Sequence, residues 1–132
     1  MCTVTSRIPK LQVAKEDIIT YKIVYVKYKS ILGIFTKRYI VSYIFYKKYS
    51  FNKVYKTKLE KFKYCISRQI FLSGNAFYSY KYYPSKIYLA PDEYVVKCII
   101  PKGSSYYLCT DYDGIKIYHS DKIKITEIIY GK

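Results

Sequence analysis

The sequence has no tryptophan, a single histidine, five glycines, four prolines and only nine acidic residues among 132. Each shortage excludes something. A lone histidine, His119, cannot build a multi-histidine zinc centre, and a mixed site would need cysteines in paired spacing. Cys2, Cys65, Cys98 and Cys109 show neither CxxC spacing nor the dense framework of a small secreted scaffold, so free thiols in a reducing compartment are expected. A metal-dependent nuclease needs convergent carboxylates, and Glu60 is the only one between residues 18 and 91. A Cys-His couple between Cys98 or Cys109 and His119 is left open, since such partners meet in space and not in sequence. No motif calls for a cofactor or a metal.

Long apolar runs are also missing. No stretch reaches the length of a membrane-spanning helix, and the opening MCTVTSRIPK lacks the apolar core of a signal peptide. No basic amphipathic helix offers a membrane-surface anchor. The expectation is a cytoplasmic protein. With no internal repeat and no low-complexity linker, residues 1–132 read as one domain, long enough to bury a core.

What is abundant is tyrosine and lysine. Twenty Tyr and six Phe rule out ordinary disorder. Tyrosine has an apolar body and a polar tip, so it can line a core edge or offer a stacking face. AT-rich coding, which favours Tyr, Lys, Ile and Asn, accounts for part of this excess. It does not account for the distribution of charge. Residues 1–17 carry three bases and two acids, residues 18–91 fifteen and one, and residues 92–132 six and six, giving +1, +14 and 0 within the total of +15. A field of this sign keeps a protein soluble and steers anions toward it.

The patterning is that of strands. Asp17 to Lys29, rich in Ile, Val and Tyr, reads as one. Thr36 to Lys48 reads as its partner after a turn at Gly33, apolar on both faces and therefore central. Asn52 to Lys58 adds a third. Leu59, Phe62, Ile66 and Ile70 recur at three- and four-residue spacing, which predicts a helix over Leu59 to Ile70. Ser73-Gly74-Asn75 is a turn, followed by the aromatic run Ala76 to Tyr83, and Ser85 to Leu89 is a helical turn or irregular connection between two prolines. Glu93 to Ile100, Ser104 to Thr110, Ile115 to His119 and Asp121 to Ile129 complete the strands, with a hairpin at Asp113-Gly114. On the last, Ile123 and Ile125 fall on one side and Lys122, Lys124 and Thr126 on the other. The expected fold is α+β, mainly an antiparallel curved sheet or partly open barrel of six or seven strands with one helix.

Two segments carry candidate chemistry. Pro101-Lys102-Gly103-Ser104-Ser105 offers an ammonium, two hydroxyls and turn amides, the groups a phosphate needs. It lacks the two glycines of a Walker motif and is equally an ordinary tight turn. The run Phe77 to Tyr83 interleaves Tyr78, Tyr80 and Tyr82 with Lys81, which suits a ligand whose base stacks while its phosphate pairs with an ammonium. The alternative there is a half-buried strand with its tyrosine hydroxyls outward. Asp111-Tyr112-Asp113-Gly114 lacks the remaining ligands of a calcium loop and reads as a hairpin turn.

Several segments together give a family likeness: the opening Met1 to Thr5, the strand start Asp17-Ile18 to Tyr21-Lys22, the turn Ile99-Ile100-Pro101-Lys102-Gly103 followed by Tyr106-Tyr107, and the closing Ser120-Asp121-Lys122-Ile123. In these the chain resembles small proteins of gut Bacteroidales and their phages. A Gly-x-His-x-Phe-like segment of that family stands here as Gly74-Asn75-Ala76-Phe77-Tyr78-Ser79-Tyr80, without the histidine. The family implies no established activity. By analogy, small phage proteins of this kind act against host defences, some as sponges for nucleotide immune signals.

The residues favour a non-enzymatic binding protein that captures an anionic nucleotide-like ligand. Lys102, Ser104 and Ser105 would hold phosphate, and Tyr78, Tyr80, Lys81 and Tyr82 would stack and pair with the rest. The same charge fits a DNA- or RNA-binding protein or an inhibitor of an acidic host protein. An enzyme acting on nucleotides has the least support. A site shared between subunits of a homo-oligomer would suit so short a chain.

Overall fold

The computed structural model describes residues 9–31, 35–42, 48–59, 63–65, 70–72, 76–84, 89, 93–110 and 114–131. These form twelve strands: β1 (Gln12–Val13), β2 (Ile18–Ile31), β3 (Phe35–Ser42), β4 (Lys48–Tyr49), β5 (Val54–Lys56), β6 (Lys63–Cys65), β7 (Ile70–Leu72), β8 (Phe77–Tyr80), β9 (Glu93–Ile100), β10 (Ser105–Thr110), β11 (Lys116–Ser120) and β12 (Lys122–Gly131). Ten belong to one antiparallel sheet, whose main path runs β1-β10-β11-β8-β2-β9-β12-β5, with β3 and β4 attached beside β2. β6 and β7 form a separate two-stranded ladder. The sheet-dominated antiparallel fold expected from the sequence is present, with more strands than six or seven.

The expected helix is corrected. No helix occurs among the described residues, and Lys63–Cys65 pairs antiparallel with Ile70–Leu72 instead. Phe62, Tyr64 and Ile66 satisfy a period of two as well as Leu59, Phe62 and Ile66 satisfy one near 3.6. Over Lys63–Cys65 and Ile70–Leu72 the strand alternative wins; residues 60–62 and 66–69 lie outside the described residues. The turns at Gly33, at Ser73-Gly74-Asn75 and at Asp113 lie outside the described residues, as do residues 85–88 and Met1 to Thr5. No helix among the described residues is long and apolar enough to cross a membrane.

Connectivity forces the sheet to roll. β11 and β12 are separated by Asp121 alone, yet β8, β2 and β9 stand between them in the strand order. Asp121 is where the ends of the path come together. Its backbone N–H donates to Ser105 O at 3.0 Å, at the start of β10, and its carbonyl accepts from Thr57 N at 2.8 Å, just after β5. Its carboxylate also accepts from Ser105 N at 3.0 Å.

Strand alternation then sorts side chains into two faces. Inside the roll, Val24, Phe77, Val96, Cys98, Ile123 and Ile125 form a buried cluster with Tyr49, and Tyr55, Tyr94 and Ile128 pack against it. Truncating Ile125 to alanine would leave a cavity costing about 2–5 kcal/mol. The opposite face is buried at Val95, Cys109, Ile117 and His119, but it is open elsewhere, and there the candidate site lies.

Candidate nucleotide-binding face

Registers across β2, β9, β12 and β5 place side chains in rows on the outer face. Ile19 stands opposite Ile99, Ile99 opposite Lys124, and Lys124 opposite Val54. Ile19 is 51% exposed and Val54 40%. Two residues along β12, on the same face, Lys122 stands opposite Lys56. In the other direction Tyr21 lies between Tyr80 on β8 and Lys97 on β9. The Tyr83 ring meets the Tyr21 ring edge-on at 5.6 Å. The face therefore has an aromatic margin, an aliphatic middle and a lysine margin. With strands about 4.8 Å apart and about 3.4 Å per residue along each strand, Lys124, two strands over and two residues along, lies roughly 12 Å from Tyr21, and Lys122 roughly 17 Å.

Among the described residues, β9 and β12 place two acids on this face, Glu93 at the start of β9 and Glu127 on β12. A register shift between Ile125 and Glu127 brings Glu127 opposite Lys97, whose Nζ lies 3.8 Å from Glu127 Oε1. The bulged Thr126 donates its hydroxyl to Lys97 O at 3.1 Å. The ion pair is solvent-exposed and so contributes little stability.

The turn at 101–105 is organised around its own amides. Lys102 N–H donates to Asp17 Oδ1 at 2.8 Å, Gly103 N–H to Ala14 O at 2.8 Å, Ser104 N–H to Pro101 O at 3.0 Å, and Ser105 N–H to Asp121 Oδ1 at 3.0 Å. Ser104 is fully buried, and its hydroxyl donates to Pro101 O at 2.5 Å. Gly103 holds φ +86, where a side chain would be strained. All four amides and the Ser104 hydroxyl have partners within the protein, and the exposed Lys102 ammonium is the charged group the turn presents to solvent.

The aromatic run is divided by strand alternation. Ser79 points into the roll, whereas Tyr78 and Tyr80 point outward. Tyr78 packs edge-on against the buried His119 at 4.4 Å, and Tyr80 adjoins Tyr21. Lys81 follows the strand, with its N–H on Lys116 O at 3.0 Å and its ammonium 5.5 Å from the Tyr82 ring. Tyr82 is 65% exposed. Of the residues singled out from sequence, Tyr80 joins the exposed face directly. Tyr21, Lys97, Lys122, Lys124 and Lys56 were missed as site residues. The alternation of Lys122 and Lys124 with Ile123 and Ile125 was the available signal, but cross-strand neighbours cannot be read from one strand.

The interior is partly polar. Lys22 is buried and donates Nζ to Tyr78 O at 2.7 Å. Desolvation brings its pKa down to about 8, with the Cys98 thiol acting in the opposite direction. Among the described residues, Thr20 Oγ1 and Ser79 Oγ are buried without a hydrogen-bond partner. Burial raises the Tyr118 phenol, helped by neighbouring Tyr106 and Tyr82.

A thiolate–imidazolium couple is not assembled. Cys98 faces into the roll and His119 faces out. Cys109 shares the outer face with His119, but burial pushes its thiol up to about 12 and the imidazole down to about 3. Both shifts oppose the charged pair such chemistry uses. Among the described residues no group of three His, Cys, Asp or Glu is placed to hold a metal ion.

Comparison with protein-family models, with curated proteins and with solved structures finds no match.

Proposed function

We propose that this chain is a non-enzymatic binding protein that captures an anionic, nucleotide-like ligand on the outer face of β2, β9, β12 and β5. The observation that carries the reading is the juxtaposition of an aromatic margin, Tyr21 with Tyr80 and Tyr83, and a lysine margin, Lys124, Lys122 and Lys56. A nucleotide is itself divided into a flat base and a charged phosphate. The base would lie against the aromatic and aliphatic side chains, and the phosphate would reach the ammonium groups. Lys102, exposed beyond the end of β9, adds charge at the same end of the sheet. Sequestration of a nucleotide signal is the role this chemistry would serve.

The test is calorimetric titration of the protein with a panel of nucleotides, before and after substitution of Lys122→Ala with Lys124→Ala. At least one nucleotide should bind, and the double variant should lose about tenfold in affinity or more, each charge-assisted contact being worth about 1.5–3 kcal/mol. Unchanged affinity in a folded variant would remove the lysine margin from the site.

A further inference from the structure

We infer that the ligand of this face is a single-stranded oligonucleotide, bound with its backbone along the β12–β5 lysines and its bases turned toward β2. This rests on the nucleotide-binding reading and specifies its substrate class. Lys56 and Lys122 are direct cross-strand partners, and Lys124 follows two residues along on the same face. Like charges directly opposite one another oppose strand pairing. The Lys97–Glu127 ion pair does not include Lys56, Lys122 or Lys124, which have no carboxylate partner among the described residues. One phosphate cannot neutralise three ammonium groups spread over two strands, whereas successive phosphates of a strand can.

The other half of the face argues against a duplex. Ile19 and Ile99 are direct partners between the lysines and Tyr21. Apolar and aromatic side chains gain from bases only when those bases are unpaired and splayed out, because a duplex presents mainly phosphates at its surface. The face is a row of neighbouring strands, a geometry that accommodates successive nucleotides.

Fluorescence anisotropy can separate this inference from its parent reading. Labelled oligothymidylates of about 4, 8 and 12 nucleotides, spanning the usual site sizes of single-strand binders, would be compared with a labelled cyclic dinucleotide and with a duplex of the longest strand. Affinity should rise with strand length and exceed that for the dinucleotide and the duplex. Between about 50 and 200 mM salt, log K should fall with log salt at about −0.7 per phosphate contacted. Lys56→Ala with Lys122→Ala should flatten that slope by roughly 1.4. Tighter binding of the dinucleotide or the duplex, or an unchanged slope in the variant, would overturn the single-strand inference while nucleotide binding stood. No binding of any of these ligands by the wild-type protein would overturn both.

Discussion

Lys56 and Lys122 stand directly opposite each other on the outer face of the sheet, where β5 meets β12. At a direct antiparallel pair the Cβ atoms are about 5 Å apart, and a like-charge pair is unfavourable by a few tenths to about 1 kcal/mol. The ligand-free protein should therefore gain stability when the repulsion is removed. Lys122→Glu is expected to raise the midpoint of thermal unfolding by a few degrees and to weaken nucleotide binding by more than tenfold. Calorimetry and a binding titration on the same preparation check both arms. Loss of stability together with loss of binding would mean the lysine has a structural role.

How much of this could be read in advance differs between fold and site. The strand Glu93–Ile100 matches its sequence boundaries, and the β2–β3 hairpin pairs Val24 to Ile31 with Phe35 to Ser42, because β-branched and aromatic residues fill these segments. β1 and β4 were missed because two residues carry no period. The Leu59 to Ile70 helix failed because short apolar spacings fit two periods. For the site, the sequence pointed to consecutive residues such as Tyr78 to Tyr82. A sheet instead gathers residues remote in the chain, as with Ile19, Ile99, Lys124 and Val54. Ser104 illustrates the same limit: a hydroxyl beside a glycine turn looks free in sequence, but here it closes the turn.

The turn residues should affect stability without affecting binding. Gly103→Ala forces a side chain into the left-handed region at φ +86, at a cost of about 1 kcal/mol. Ser104→Ala leaves Pro101 O without its hydroxyl donor, at a similar cost of about 1 kcal/mol. Both variants should unfold at lower denaturant and bind nucleotide as the wild type does. Weakened binding by folded Ser104→Ala would return that hydroxyl to the site.

Acid should destabilise the protein through His119. Its imidazole is held neutral to about pH 3 by burial, against an ordinary value of 6.5. Between these values the unfolded chain binds a proton that the folded chain does not, so stability falls as pH drops from 6.5 toward 3, by on the order of 4 kcal/mol. Denaturant unfolding at a series of pH values should show this loss, and His119→Gln should flatten it. An equally steep profile in the variant would place the acid sensitivity elsewhere.

Lys22 acts in the alkaline range. Its pKa of about 8 lies below the ordinary 10.5, so the cost of burying its charge is full below pH 8 and is relieved as pH rises toward 10.5. Over that window the unfolded chain binds the extra proton and stability rises by on the order of 3 kcal/mol. Cys98 and Cys109, both pushed up to about 12 from 9.0, oppose this above pH 9. Lys22→Met isolates the lysine: it should be more stable than the wild type at pH 7, and its advantage should shrink as pH rises from 8 to 10. A constant difference would mean that Lys22 does not titrate in that range.

The same two thiols should resist alkylation. Cys98 and Cys109 are buried with raised pKa values, and only thiolate reacts readily. Peptide mapping after iodoacetamide treatment should find both unmodified at pH 8 and both labelled in denaturant. Rapid labelling of Cys98 in the folded state would contradict its position inside the roll.

The most direct test of the binding face is photocrosslinking of a thiothymidine-substituted oligothymidylate, followed by mass spectrometry of the conjugated peptides. Crosslinks concentrated at Tyr21, Tyr80 and Tyr83, and lost on Lys56→Ala with Lys122→Ala, are the result the account requires. Crosslinks confined to the 101–105 turn or to Tyr106 and Tyr118, with none on Tyr21, Tyr80 or Tyr83, would contradict it.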